Sequence, residues 1–151
     1  MSLHILLDSY PLGLISTPQR SNAPIAIAQW TKACLAAGHE IYIPEVIDYE
    51  LRRELLRAEK TRSVQELNSL RTVFHFLTIN SPAMLLAAEL WAVARRIGFS
   101  TGDPKKIDVD VILAAQALTF GISRSQLVIA TSNVQHISRF VPADLWTNIT
   151  P

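Results

Sequence analysis

The sequence predicts a three-layer α/β/α sandwich around a mainly parallel central sheet, and three observations point to it. Short apolar runs with β character, at His4–Leu7, Glu40–Ile43 and Gln126–Ala130, recur between longer segments with helical apolar spacing. The first two runs are joined by a segment of crossover-helix length, which is the sequence form of a parallel βαβ unit. The chain of 151 residues is long enough for one domain with a proper core and too short for two, so residues 1–151 are expected to form a single unit.

Each element has its own signal. His4-Ile5-Leu6-Leu7 stops at Asp8 and meets Pro11 and Gly13, which reads as a buried strand running into a turn with a carboxylate at the strand end. Ser21 and Asn22 before Pro24 start the crossover helix; its apolar positions are Ile25, Trp30, Cys34 and Leu35, and Gly38 stops it. Glu40-Ile41-Tyr42-Ile43 is the second strand. Pro44 suits the first turn of a helix from Glu45 to about Ala58, with Val46, Ile47, Leu51 and Leu55 inward and Glu50 and Glu54 on a common side.

After the basic link Lys60–Arg62, Ser63–Leu70 repeats the helical pattern and Val73–Ile79 is β-rich enough for a short third strand. Ser81-Pro82 opens a helix through Arg96, closed by Gly98, with Met84, Leu85, Leu86, Trp91 and Ile97 expected in the core. Thr101-Gly102-Asp103-Pro104 reads as a turn. The segment Lys105–Leu118 carries Asp108 and Asp110 near its start and is apolar on nearly every side, so it is expected as a buried helix ending near Gly121. Its carboxylates then lie where the helix meets the surface and need a backbone donor, a cation or a polar partner. Gln126–Ala130 is the fourth strand, halted at Thr131-Ser132-Asn133, and Trp146–Ile149 is read as a last edge strand.

Composition narrows the function. Hydrophobic residues at 49% and charged residues at 18% describe a folded globular protein. A net charge of +1 argues against binding nucleic acid by bulk charge. Two local clusters remain, Arg52, Arg53, Arg57, Lys60 and Arg62 in one and Arg95, Arg96, Lys105 and Lys106 in the other, as solvated helix faces or as phosphate contacts. The apolar stretch Ala83–Ala94 is broken by Glu89 and too short for a bilayer, and Met1-Ser2-Leu3-His4 lacks the basic start of a signal peptide; a soluble, cytoplasmic protein without a membrane partner is expected. The single Cys34 is read as a structural thiol. His4, His39, His75 and His136 make no zinc spacing, there is no glycine-rich phosphate loop, and no motif marks Ser9 as a nucleophile.

Acids at strand ends are the remaining chemical signal. In a parallel sheet ligands bind beyond the carboxyl ends of the strands, where Asp8 and Ser132-Asn133 would project. Hard Mg²⁺ or Mn²⁺ ions prefer carboxylate and water oxygens, and such ions activate water and neutralise charge developing on a phosphate. Taken singly, each acid also has an ordinary structural role: Asp8 accepting turn amides, Glu50 pairing with Arg53 or Glu54 with Arg57, Asp108 as an N-cap, Glu45 and Asp48 serving the helix start.

Four segments in order resemble a PIN domain, the fold of VapC-type ribonuclease toxins. They are Ile5-Leu6-Leu7-Asp8-Ser9, Ile43-Pro44-Glu45-Val46-Ile47-Asp48-Tyr49-Glu50-Leu51, Asp110-Val111-Ile112-Leu113-Ala114-Ala115-Gln116-Ala117-Leu118, and Leu127-Val128-Ile129-Ala130-Thr131-Ser132-Asn133. The resemblance implies Asp8, Glu50 and Asp110 as catalytic, metal-binding acids, Asn133 at a fourth position where several members hold Asp, and Asp108 as a helper. It further implies Mg²⁺ or Mn²⁺ as cofactor, RNA as substrate, an antitoxin partner and a homodimer. Arg52, Arg53, Lys105, Lys106 and Ser132 are the expected nucleic-acid contacts. Tyr10 stands where a small polar residue is usual, and His136 lies where some relatives with Asn place a later acid.

The leading expectation is a metal-dependent endoribonuclease of toxin–antitoxin type. The alternative is a PIN-like nucleic-acid- or partner-binding module without catalysis, which Asn133 and Tyr10 favour. A phosphotransferase using Asp8 as nucleophile would want a second Asp two residues on, and Tyr10 is there instead.

Overall fold

The computed structural model describes residues 2–98 and 104–151, with side chains described for 2–98 and 107–151. The strands are His4–Leu7 (β1), Glu40–Pro44 (β2), His75–Leu77 (β3), Leu127–Ala130 (β4) and Ala143–Asp144 (β5). All four pairings are parallel, in the order β3-β2-β1-β4-β5. This is the expected α/β sandwich, with a sheet parallel throughout. β1 is central, pairing Leu6 with Tyr42 on one side and with Ile129 on the other, which explains why Ile5, Leu6 and Leu7 are all fully buried.

The helices are Ser9–Ser16 (α1), Asn22–Ala36 (α2), Glu45–Arg57 (α3), Thr61–Val73 (α4), Ser81–Arg96 (α5), Pro104–Leu118 (α6) and Val134–Ile137 (α7). The apolar character of α6 on nearly every side has a direct cause. Leu113, Ala114 and Ala117 face the main core under the sheet, while Ile107, Val111 and Ala115 pack with Ala83, Ala87 and Ala94 of α5 in a second cluster. The helix is sandwiched: among its described side chains only Asp108 is exposed.

Several expectations are corrected. The residues after Asp8 form α1 and not a turn: Asp8 is its N-cap, accepting the Ser9 amide at 2.7 Å. Pro11 sits in the first turn, where no amide is needed, so it does not break the helix. On α2 the buried positions are Pro24, Ile27, Trp30, Thr31 and Cys34, whereas Ile25 and Leu35 are exposed. Asp108 is not an N-cap, because α6 begins four residues earlier at Pro104. The turn read at Thr101-Gly102-Asp103 lies outside the described residues.

The largest correction concerns α5. Met84, Leu85, Trp91 and Ile97 are 45%, 70%, 40% and 71% exposed, and the helix buries its alanines instead. Small side chains let α5 approach α6 closely, so the alanine face wins the interior and the bulky face is left outside. The last edge strand is Ala143–Asp144, and Trp146–Asn148 is a 3₁₀ turn. Asp144 Oδ1 accepts both the Leu145 amide and the Asn148 side-chain amide, which winds the chain. Trp146 then packs on Trp30, whose indole donates to the Ile149 carbonyl at 2.8 Å.

Cys34 is fully buried, and burial pushes its thiol from 9.0 up to about 11. A raised folded value means that the neutral thiol is favoured by folding; the contribution is intact below about pH 9 and is lost as pH rises through about 11. At pH 8 the native thiol is therefore expected to react with iodoacetamide at least about a hundredfold more slowly than the urea-unfolded chain, checked by mass spectrometry of quenched aliquots.

Candidate active site

Parallel pairing brings the carboxyl ends of the strands to one edge, and the chain places polar groups there. Asp8, at the end of β1, is 9% exposed. Its amide donates to the Ala130 carbonyl at 2.9 Å, which locks the ends of β1 and β4 together. The Thr131 hydroxyl donates to Asp8 Oδ2 at 2.6 Å and accepts the Asn133 amide at 2.9 Å. One short polar chain thus joins Asp8, Thr131 and the Asn133 backbone. Both Asp8 oxygens meet neutral donors, the Ser9 amide and the Thr131 hydroxyl, which orient the carboxylate without cancelling its charge.

The junction of β2 and α3 is fixed as tightly. Glu45 Oε1 accepts the Ile79 amide at 2.8 Å, closing the exit from β3. Gln116 of α6, 2% exposed, accepts the Val46 amide at 3.3 Å and donates to the Leu77 carbonyl at 2.8 Å. A buried amide with a partner for each end holds α6 against the start of α3 and the end of β3. Asp110, 8% exposed, lies less than two turns before Gln116 on α6, and half-buried Glu50 lies about one turn beyond Val46 on α3. α3 packs against both α1 and α6, so the helix bearing Glu50 neighbours the helix capped by Asp8 and the helix bearing Asp110.

Among the described residues, no three His, Cys, Asp or Glu side chains are gathered to hold a metal ion as they stand. The donor types do fit a hard divalent ion: two nearly buried carboxylates, Asp8 at the end of β1 and Asp110 on α6, with half-buried Glu50 on α3 and half-buried Asn133 after β4. Asp108 is exposed and lines a cleft between α3 and α6.

The basic residues separate. Arg52 grips Asp48, 5% exposed, through Nε at 2.9 Å and Nη2 at 3.1 Å, and its Nη1 donates to Asn68 of α4 at 2.7 Å. The Asp48 hydrogen bonds, with its charge, hold the guanidinium above its ordinary value, so Arg52 braces α3 on α4. Arg53 points elsewhere and stacks over the Tyr49 ring at 5.1 Å. Ser132 is exposed, and the side chains of Lys105 and Lys106 lie outside the described residues. Tyr10 is 53% exposed on α1.

Sequence reasoning missed three of these parts. The Thr131 hydroxyl was visible only as a strand-end polar residue, and the Arg53–Tyr49 stack only as an i,i+4 spacing. Gln116 had a signal: an amide in the apolar run Ile112–Leu118 must find partners if the run is buried. At the opposite edge of the sheet, two histidines that sequence left dispersed converge. His4 Nδ1 lies 2.8 Å from the Tyr42 hydroxyl and 3.3 Å from Glu40 Oε2, and His75 stacks on Tyr42. The hydrogen bond from Tyr42 lowers the Glu40 carboxyl, while burial and that same bond raise the phenol.

No protein-family model matches the sequence, and no curated protein matches it. Solved structures do. A chain in VapBC2 from Rickettsia felis, bound to a DNA fragment from the promoter, superposes with a TM-score of 0.70 at 14% identity, covering 95% of this chain and 99% of that one. VapBC-1 from nontypeable Haemophilus influenzae gives 0.69 at 18% identity, covering 97% and 99%. DNA-bound VapBC from Salmonella typhimurium gives 0.66 at 18%, covering 95% and 98%. Among the described residues no helix is long and apolar enough to cross a membrane. With its all-parallel five-stranded sheet, the chain has the PIN-domain fold found in these VapBC toxin–antitoxin complexes.

Proposed function

We propose that the protein is a Mg²⁺- or Mn²⁺-dependent endoribonuclease, the toxin of a toxin–antitoxin pair acting in the cytoplasm. The observation that carries this reading is the near burial of two carboxylates in a PIN-type fold, Asp8 at the carboxyl end of β1 and Asp110 on α6, the helix that packs against the one bearing Glu50. Asp8, Glu50 and Asp110 would hold the ion, with Asn133 at the fourth position and Asp108 assisting. A bound divalent ion supplies an activated water and neutralises charge on the phosphate.

The chain's own residues do the positioning. Thr131 fixes the rotamer of Asp8 through Oδ2, and Gln116 sets the distance between the helices of Asp110 and Glu50. Arg53, Lys105, Lys106 and Ser132 would meet the phosphate chain, with Arg52 adding positive potential from its braced position. The exposed α5 side chains Met84 and Trp91, two turns apart on one face, offer an apolar contact for a second copy, consistent with a homodimer.

A second reading, a binding module without catalysis, is favoured by one observation: no three metal-ligating side chains are gathered among the described residues. Cleavage of a mixed pool of labelled RNAs separates the two. The nuclease cuts with Mn²⁺ or Mg²⁺ and stops in chelator; binding without cutting under any metal condition leaves the module.

A further inference from the structure

A cleft of about 420 Å³ opens between α3 and α6, lined by Val46, Tyr49 and Arg53 of α3, Asp108, Val109 and Ile112 of α6, and Ile79 and Met84. Its volume lies in the range of small-ligand sites, and its walls are mostly apolar. Two features at its rim are not explained by packing. Tyr49 is 58% exposed, yet its ring is kept in place by the Arg53 guanidinium at 5.1 Å. Asp108 is exposed at the other side, one helical turn before Ile112.

We propose that this cleft receives one unpaired guanine base of the RNA, which rests on the Tyr49 ring and presents its Watson–Crick edge to Asp108. The proposal rests on the ribonuclease reading and adds the base selected. An aromatic face with a stacked guanidinium suits a nucleobase of any kind, and its charge suits the phosphate that comes with it. The carboxylate makes the choice: guanine alone offers two adjacent donors, N1–H and the N2 amino group, to two acceptor oxygens, while adenine and cytosine offer one amino group. The cleft and the proposed metal site draw on the same two helices, α3 with Tyr49 and Glu50 and α6 with Asp108 and Asp110, and in each pair the two residues turn to different sides of the helix.

The test is fluorescence anisotropy in chelator, which removes catalysis, with labelled oligouridylates carrying a single central guanosine, inosine or adenosine. The wild-type protein should bind the guanosine probe about tenfold more tightly than the adenosine probe, with inosine between them because it lacks the N2 amino group. Tyr49→Ala should weaken all three by about tenfold. Asp108→Asn should erase the preference for guanosine with little change for adenosine, and near-ultraviolet circular dichroism checks that both variants are folded. Equal affinities for the three probes, or a Tyr49→Ala protein that binds as wild type, overturn the proposal. So does saturation by free guanosine monophosphate at concentrations where the oligonucleotide does not bind, which makes the cleft a mononucleotide site. If the protein cuts RNA with Mn²⁺ but Tyr49→Ala changes neither binding nor cleavage, the nuclease stands and the pocket falls. Guanosine-selective binding without cleavage in any metal leaves the pocket and removes the nuclease.

Discussion

Asp8→Asn and Asp110→Asn are each expected to cut RNA at least about a hundredfold more slowly than wild type in Mn²⁺, the loss typical when one group stabilising developing charge is removed. Both acids are nearly buried, and Asn keeps their shape. For Asp8 the swap keeps one acceptor oxygen for the Ser9 amide or the Thr131 hydroxyl and turns the other acceptor into a donor, so circular dichroism of the variant accompanies the rates. Glu50→Gln should also fall sharply. Glu54→Gln is the control, because Glu54 lies on the exposed face of α3 paired with Arg57 at 3.0 Å. The check is initial rates on one labelled substrate at saturating Mn²⁺. Rates within threefold of wild type for both Asp variants would place the chemistry elsewhere.

Leu113→Ala is expected to lower stability by about 2–5 kcal/mol, since a fully buried leucine in a close-packed core leaves both lost transfer energy and a cavity. For a chain of this size that is a fall of roughly 5–15 °C in melting temperature. Leu85→Ala should change stability by no more than about 0.5 kcal/mol, because Leu85 is 70% exposed. Read from sequence alone, both leucines belong to the core. Thermal melts followed by circular dichroism decide the matter: a large loss at Leu85 would mean that its face of α5 is covered in solution, as a homodimer would cover it.

That contrast marks what the sequence makes legible. The strands His4–Leu7, Glu40–Pro44 and Leu127–Ala130 stand out because a strand buried on both faces must be apolar throughout. The buried helix carrying Asp110 stands out for the same reason. The orientation of α5 does not, because an alanine face and a bulky apolar face are both hydrophobic. Which one turns inward depends on how closely α6 approaches, a fact about the partner helix. The helix after Asp8 was hidden by Pro11, a breaker in mid-helix that is harmless in the first turn.

The candidate site divides in the same way. Acids at strand ends are visible in sequence as residue types, and their order along the chain resembles the PIN pattern. Their supports come from distant segments: Thr131 reaches Asp8 across 123 positions, and Gln116 reaches Val46 across 70. Arg52 illustrates the converse. In sequence it is one more basic residue in a cluster, and only the burial of Asp48 and the position of Asn68 show why its guanidinium turns inward.

The shared site is tested most directly by Mn²⁺ titration of the wild-type protein beside Asp110→Asn, read as melting temperature in the absence of RNA. At Mn²⁺ about a hundredfold above its dissociation constant, binding to the folded state alone adds about 2.7 kcal/mol, or roughly 5–10 °C for a protein of this size. The account predicts that rise in wild type and its loss in Asp110→Asn. A wild-type melting temperature that stays flat from chelator to millimolar Mn²⁺, or a rise that survives in Asp110→Asn, would contradict it.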